Sequence, residues 1–147
     1  LTAPHEIVTA ILAVKQFLTY VNGAPFQPAI ALGLGLPDEF FEGIARTLQS
    51  KRDLLSAGLV KAGFEVFTPQ AGYFVVADAA PLGFSDAAAL CRELPALAGV
   101  VGIPISAFCG EQLAGEYSSL VRFAYCKKVD VLERAAAQLA RAGRDTR

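Results

Sequence analysis

Methionine is absent from this 147-residue chain, histidine occurs once and cysteine three times. With His5 as the sole imidazole, this chain alone supplies neither a Ser/His/Asp triad nor a histidine-rich metal site. Lying near the start, His5 reads as a surface residue in the first turn of a helix. Cys91, Cys109 and Cys126 are odd in number, widely spaced and without a CxxC pattern. That usage argues against a disulfide scaffold or a zinc site and points to a reducing compartment, the cytoplasm. An excess of charge is missing too. The 13 basic and 14 acidic residues give a net charge of -1, and no basic cluster exceeds Lys127 with Lys128. Nucleic acid and anionic membranes are therefore not expected partners.

Charge is scarcest at the start. Only Glu6 and Lys15 are charged in the first 36 residues, and every other charged residue follows Leu36. The surface helices of one small domain need a more polar outer face than that. The segment is expected to pack against further protein or a second subunit, and the isolated chain to self-associate. The lack of methionine, together with the opening LTAPHEIV, suggests a piece of a longer protein. A membrane span in the uncharged run from Gln16 to Pro37 is not expected. Asn22, Gln27, Pro25, Pro28 and three glycines interrupt the run, and no basic flank would orient it. Nor does a basic leader precede the apolar start, as a signal peptide requires.

What is present is a 54% hydrophobic composition, enough for a substantial core. Ile7, Ile11, Val14 and Leu18 recur at helical spacing after Thr2 and Pro4. YVNGAP ends that helix, and Phe26 to Leu36 predicts a second one closed by Gly33 and Gly35. Pro37, Asp38 and Glu39 open a third, whose stripe runs through Phe41, Ile44, Leu48, Leu55, Leu59 and Ala62 to a stop at Gly63. At about 26 residues it would be roughly 39 Å long, a length suited to joining two domains. FEVFT and YFVVAD predict a hairpin about the PQAG turn. Ser85 can cap a helix from Asp86 to about Leu94 that Pro95 breaks, and VVGIPI predicts a strand. The loop from Ser106 to Ser118 leads to the strand SSLVRFAYCKK, and Val131 to Ala142 predicts a last helix stopped by Gly143.

Few of the apparent motifs carry chemistry. GLG at 33–35 lacks a preceding strand and a third glycine, so it reads as a helix end rather than a dinucleotide loop. Ser106 has neither a GxSxG elbow nor a histidine partner. Glu111 and Glu116 could pair as acid and base but read as solvated loop charges. Arg122 is harder to explain. Alternation puts Val121, Phe123 and Tyr125 on one face and Arg122 on the other with Leu120, Ala124 and Cys126. A guanidinium in such company needs an anion: an internal acid such as Asp78 or Glu93, or the carboxylate of a ligand met by two parallel N–H donors.

Taken in order, AVKQFLTYVNGAPFQPAIALGL, LPDEFFE, KRDLL, GLVKAGFEVFTPQAGYFVVAD, PLGF, CRELP, GVVGIPISAF and LVRFAYCKK resemble the fold-type I, pyridoxal-phosphate-dependent aminotransferases of class I/II. The likeness is to their kynurenine and N-succinyldiaminopimelate branch, with YVNGAPFQPA and the PLGF to CRELP block most similar to the N-succinyldiaminopimelate members. Many relatives have glycine where Ile105 stands, and a bulky residue there is a feature of the kynurenine branch. The resemblance implies an α/β fold: the C-terminal small domain of such an enzyme, from residue 48 to 147, with a small mixed sheet covered by helices. Residues 1–47 would be a helical remnant of the large domain. It implies amino-group transfer between an amino acid and a 2-oxo acid, with Arg122 binding the substrate carboxylate. Tyr20 would reach the pocket of the other subunit in a homodimer.

The same resemblance places the lysine that carries pyridoxal 5'-phosphate upstream of this chain. Lys15, Lys51, Lys61, Lys127 and Lys128 lie on expected helices or at a strand end, none in the required motif. The chain alone is therefore expected to be inactive, and no residue in it is expected to be catalytic, to hold the cofactor or to bind a metal. The rival expectations are a pyridoxal-phosphate-dependent carbon-sulfur lyase or, for the segment alone, a non-catalytic binding domain.

Overall fold

The computed structural model describes residues 3–19 and 23–145. The chain divides into two compact units, Leu1–Phe41 and Glu42–Arg147. In the first unit α1 spans His5–Leu18 and α2 spans Phe26–Leu34, the latter capped by Gly35. His5 is an exposed first-turn residue, as expected, and GLG ends a helix. Neither helix buries a single residue, and Phe17, Leu18, Phe26, Leu32 and Leu34 stand exposed. Among the described residues no helix is long and apolar enough to cross a membrane.

Helix α3, Asp38–Ala62, has 25 residues, and its acidic first turn and glycine stop are those its sequence predicts. Its C-terminal end is closed by two bonds. The Gly63 N–H donates to the Val60 carbonyl at 3.0 Å and the Phe64 N–H to the Leu59 carbonyl at 3.1 Å. Gly63 adopts a φ of 104°, which permits this closure, and Phe64 then joins Leu59 in the core.

Four strands follow in the second unit: β1 (Glu65–Phe67), β2 (Phe74–Asp78), β3 (Ile103–Pro104) and β4 (Leu120–Ala124). They lie in the order β1-β2-β4-β3, and every neighbouring pair is antiparallel. The α/β class holds, but the sheet is antiparallel throughout rather than mixed. β4 comes back between β2 and β3 and runs opposite to both. One face carries Val75, Ala77, Val121 and Phe123, all buried against Leu55 and Leu59 of α3, Leu90 and Leu94 of α4 (Ala87–Ala98), and Leu132 and Leu139 of α6 (Val129–Asp145). The opposite face carries Phe74, Val76, Asp78, Leu120, Arg122 and Ala124 and is only half-covered.

Four local expectations are corrected. The N-cap of α4 is Asp86, not Ser85: its Oδ1 accepts from the N–H groups of Ala88 at 2.8 Å and Ala89 at 3.0 Å. Pro95 does not break α4. Proline denies the Cys91 carbonyl its partner, but the last turn is held by buried Leu94 and Ala98 and closed at Gly99, whose φ is 61°. VVGIPI forms strand only at Ile103–Pro104, because the chain turns into a 3-10 helix at Ile105–Phe108. Gly143 does not stop α6, which continues to Asp145. A one-turn helix α5, Glu111–Ala114, is added in the loop before β4.

The Asp86 cap satisfies two N–H groups that α4 would otherwise leave open. Asp86→Ala is expected to lower stability by about 1 kcal/mol. Thermal unfolding checks this, and an unchanged midpoint would mean water replaces the cap at no cost.

Candidate functional site

Arg122 lies at the centre of β4, paired across the sheet with Val76 of β2 and Ile103 of β3. Its residue is partly buried, and its Nε is fully buried with no hydrogen-bond partner. The neighbours that matter are aromatic rather than the aliphatic and small residues its own strand provides. The guanidinium carbon stands 4.0 Å from the ring centroid of Phe74 and 4.3 Å from that of Phe108. Phe74 comes from β2, two residues before Val76, so the pleat puts it on the same face. Phe108 comes from the 3-10 turn after β3 and is 60% exposed.

No internal acid neutralises this cation among the described residues. The Oδ1 of Asp78 is taken by the Ala80 N–H at 2.8 Å, and Glu93 is exposed on α4. The ion pairs present there join Arg46 to Glu42 and Arg52 to Asp53. Arg52 also donates to the Pro69 carbonyl at 3.1 Å, and the Tyr125 hydroxyl donates to the Gly72 carbonyl at 2.8 Å. These two bonds fix the Pro69–Tyr73 turn, which leads directly into Phe74. A cleft of about 340 Å³ beside that turn is lined by Gln49, Arg52, Gln70 and Tyr125.

Of the other sequence candidates, none among the described residues is hydrogen-bonded or ion-paired to Arg122. Tyr20 lies outside the described residues. Glu111 and Glu116 are both exposed around α5, as solvated loop charges would be, and Ser106 sits half-buried in the 3-10 turn. Sequence reasoning missed the two phenylalanines. Phe74 could have been found from the alternation in YFVVAD once β2 was registered against β4, whereas nothing local aims Phe108 at an arginine fourteen residues on.

Pyridoxal phosphate needs an amine to carry it, a carboxylate facing its ring nitrogen and donors around its phosphate. Lys15 on α1 donates to Thr19 Oγ1, Lys51 and Lys61 lie on α3, and Lys127 and Lys128 are exposed beyond β4. None of them is hydrogen-bonded or ion-paired to a carboxylate among the described residues. No group of three His, Cys, Asp or Glu among the described residues is placed to hold a metal ion.

The family model for aminotransferases of class I and II matches residues 1–139. The chain belongs to this family. A probable N-succinyldiaminopimelate aminotransferase of Mycobacterium tuberculosis is 42% identical over 142 residues, covering 92% of this chain and 36% of that protein. Kynurenine–oxoglutarate transaminase 3 of Rattus norvegicus is 27% identical over 148 residues, with 90% and 33% covered. The solved structure of the M. tuberculosis N-succinyldiaminopimelate aminotransferase superposes with a TM-score of 0.85, covering 95% of this chain and 36% of that one at 42% identity. The chain thus spans about a third of the length of the curated relatives it matches. The aminotransferase fold that the resemblance implies is the one found.

The three cysteines of this aminotransferase chain are free thiols. Burial, with a smaller contribution from Asp86, pushes the Cys91 thiol up to about 11. At pH 8 only about one Cys91 in a thousand would be thiolate. Alkylation at that pH is expected to label exposed Cys126 first and leave Cys91 largely unmodified, as peptide mass mapping would show.

Proposed function

We propose that this chain is the C-terminal part of a pyridoxal-phosphate-dependent aminotransferase, acting on N-succinyldiaminopimelate and a 2-oxo acid, in which Arg122 holds the substrate's carboxylate. The observation that carries the reading is an arginine without a counterion among the described residues, on the half-open face of a sheet, in a chain 42% identical to an enzyme named for that substrate. Two N–H donors on one rigid plane match both oxygens of a carboxylate, which a lysine cannot do. Held this way, the amino acid loses the freedom to turn about its Cα before reaction. In the whole protein the cofactor supplies the electron sink, and this chain's part is to bind and orient.

Residues 1–47 are proposed to belong to the large domain. The apolar faces of α1 and α2, which bury nothing in their own unit, would be covered by that domain or by the second subunit of a homodimer. In that arrangement Tyr20 is the residue proposed to serve the partner's substrate pocket. The balanced net charge of -1 and the free cysteines support a cytoplasmic setting without nucleic-acid or membrane partners.

The test is amino transfer by the full-length protein, with N-succinyldiaminopimelate, kynurenine and methionine compared as donors to 2-oxoglutarate. N-succinyldiaminopimelate is expected to give the highest kcat/KM. Preference for kynurenine would overturn the substrate, and cleavage of cystathionine without amino transfer would overturn the reaction class. The 147-residue chain alone is expected to transfer no amino group, and turnover by it would place the catalytic lysine within these residues.

A further inference from the structure

We propose that Phe74 and Phe108 form a two-sided clamp on the Arg122 guanidinium and act as positioning residues for the carboxylate; this rests on the reading of Arg122 as the anchor. The distances fix the arrangement. At 4.0 and 4.3 Å from a centroid, only the face of a phenyl ring can meet the guanidinium carbon, since an edge-on ring would overlap it. Two rings that each turn a face to the same carbon this closely cannot share one side without colliding. They therefore meet the cation from different directions, Phe74 from β2 and Phe108 from the 3-10 turn. Nε is buried as well, so the part of the group left open is its terminal end.

A clamp of this kind solves a problem that an acid would not. The negative face of an aromatic ring attracts a cation and offsets part of its desolvation, yet accepts none of its in-plane N–H bonds. An aspartate in the same place would neutralise Arg122 and occupy the donors a substrate needs. With rings rather than an acid beside it, the terminal donors stay free for a carboxylate, which can take two parallel bonds from them. The side chain is also held before the ligand arrives, which lowers the ordering cost of binding. The exposure of Phe108 fits this role, because a large apolar ring left 60% open on a turn contributes little to the core.

The experiment is a double-mutant cycle in the full-length protein. KM and kcat for the amino donor are measured for Phe108→Leu, Phe74→Leu and the ring-conserving Phe108→Tyr, each with and without Arg122→Ala. Phe108→Leu is expected to raise KM roughly 3- to 30-fold with a smaller effect on kcat, and Phe108→Tyr to stay near wild type. In the Arg122→Ala background, Phe108→Leu should add less than about twofold, since the clamp would have nothing left to hold. If Phe108→Leu costs as much without the arginine as with it, the ring acts on substrate or fold directly and the clamp is overturned. If Arg122→Ala leaves KM unchanged, the anchor itself is wrong and the clamp falls with it, a result readable from the single variant. Phe74 is half-buried in the sheet, so its variant is judged beside its thermal midpoint, while the exposed Phe108 carries the decisive comparison.

Discussion

Arg122→Ala in the full-length protein is expected to raise KM for the amino donor about 100-fold, within the 2–5 kcal/mol range for deleting one partner of a buried charge pair. The effect should fall on substrate binding, because the change removes the paired donors and leaves the substrate's carboxylate to desolvate uncompensated. Binding of pyridoxal phosphate, followed by its visible absorbance, should remain, since no residue around Arg122 is assigned to the cofactor. Arg122→Lys is expected to recover only part of the loss: it restores a positive charge but not the planar pair of donors, and gives the two rings a smaller cation to hold. An unchanged KM in the alanine variant would remove the proposed anchor.

The second large effect concerns stability. Gly143 lies inside α6, where a Cβ would overlap the backbone carbonyl oxygen of Ala62 at the end of α3. Two terms of opposite sign compete in Gly143→Ala. Helix propensity alone favours alanine by about 1 kcal/mol. Against it stands an overlap with a backbone atom, and the α3 end to which that atom belongs is pinned by the Gly63 and Phe64 N–H bonds and by buried Leu59. Overpacking of this sort costs about 3 kcal/mol, so the balance is a loss of about 2 kcal/mol. For a chain of this size that is a fall of roughly 6–9 °C in Tm. A rise in Tm would show that α3 and α6 can part at no cost and that propensity decides.

Gly143 also shows where the sequence misleads. A glycine after a helical stripe has two readings, a stop or a close approach, and only the position of Ala62 on another helix separates them. Pro95 is the same case in reverse: the local signal says break, and the burial of Leu94 and Ala98 overrules it. The signals that held are those whose cause is local. The acidic first turn of α3, its glycine closure and the alternation that buries Val121, Phe123 and Tyr125 all came through. The mixed sheet did not, because the antiparallel return of β4 between β2 and β3 depends on pairing across distant stretches. For the site, the lone arginine was visible as a misfit charge, while its ring partners required the register of β2 on β4 and the fold of the 3-10 turn.

The sheet has two rims, β1 with three residues and β3 with two, the second of which is Pro104. A proline offers no N–H to an incoming chain, and runs this short present too few open groups to seed a ladder. Copies of this chain are thus poorly equipped to join strand to strand into fibrous aggregates. Whatever stickiness the isolated chain shows should trace to its charge-poor leading helices, and adding charge there, rather than to the rims, is the way to keep it in solution.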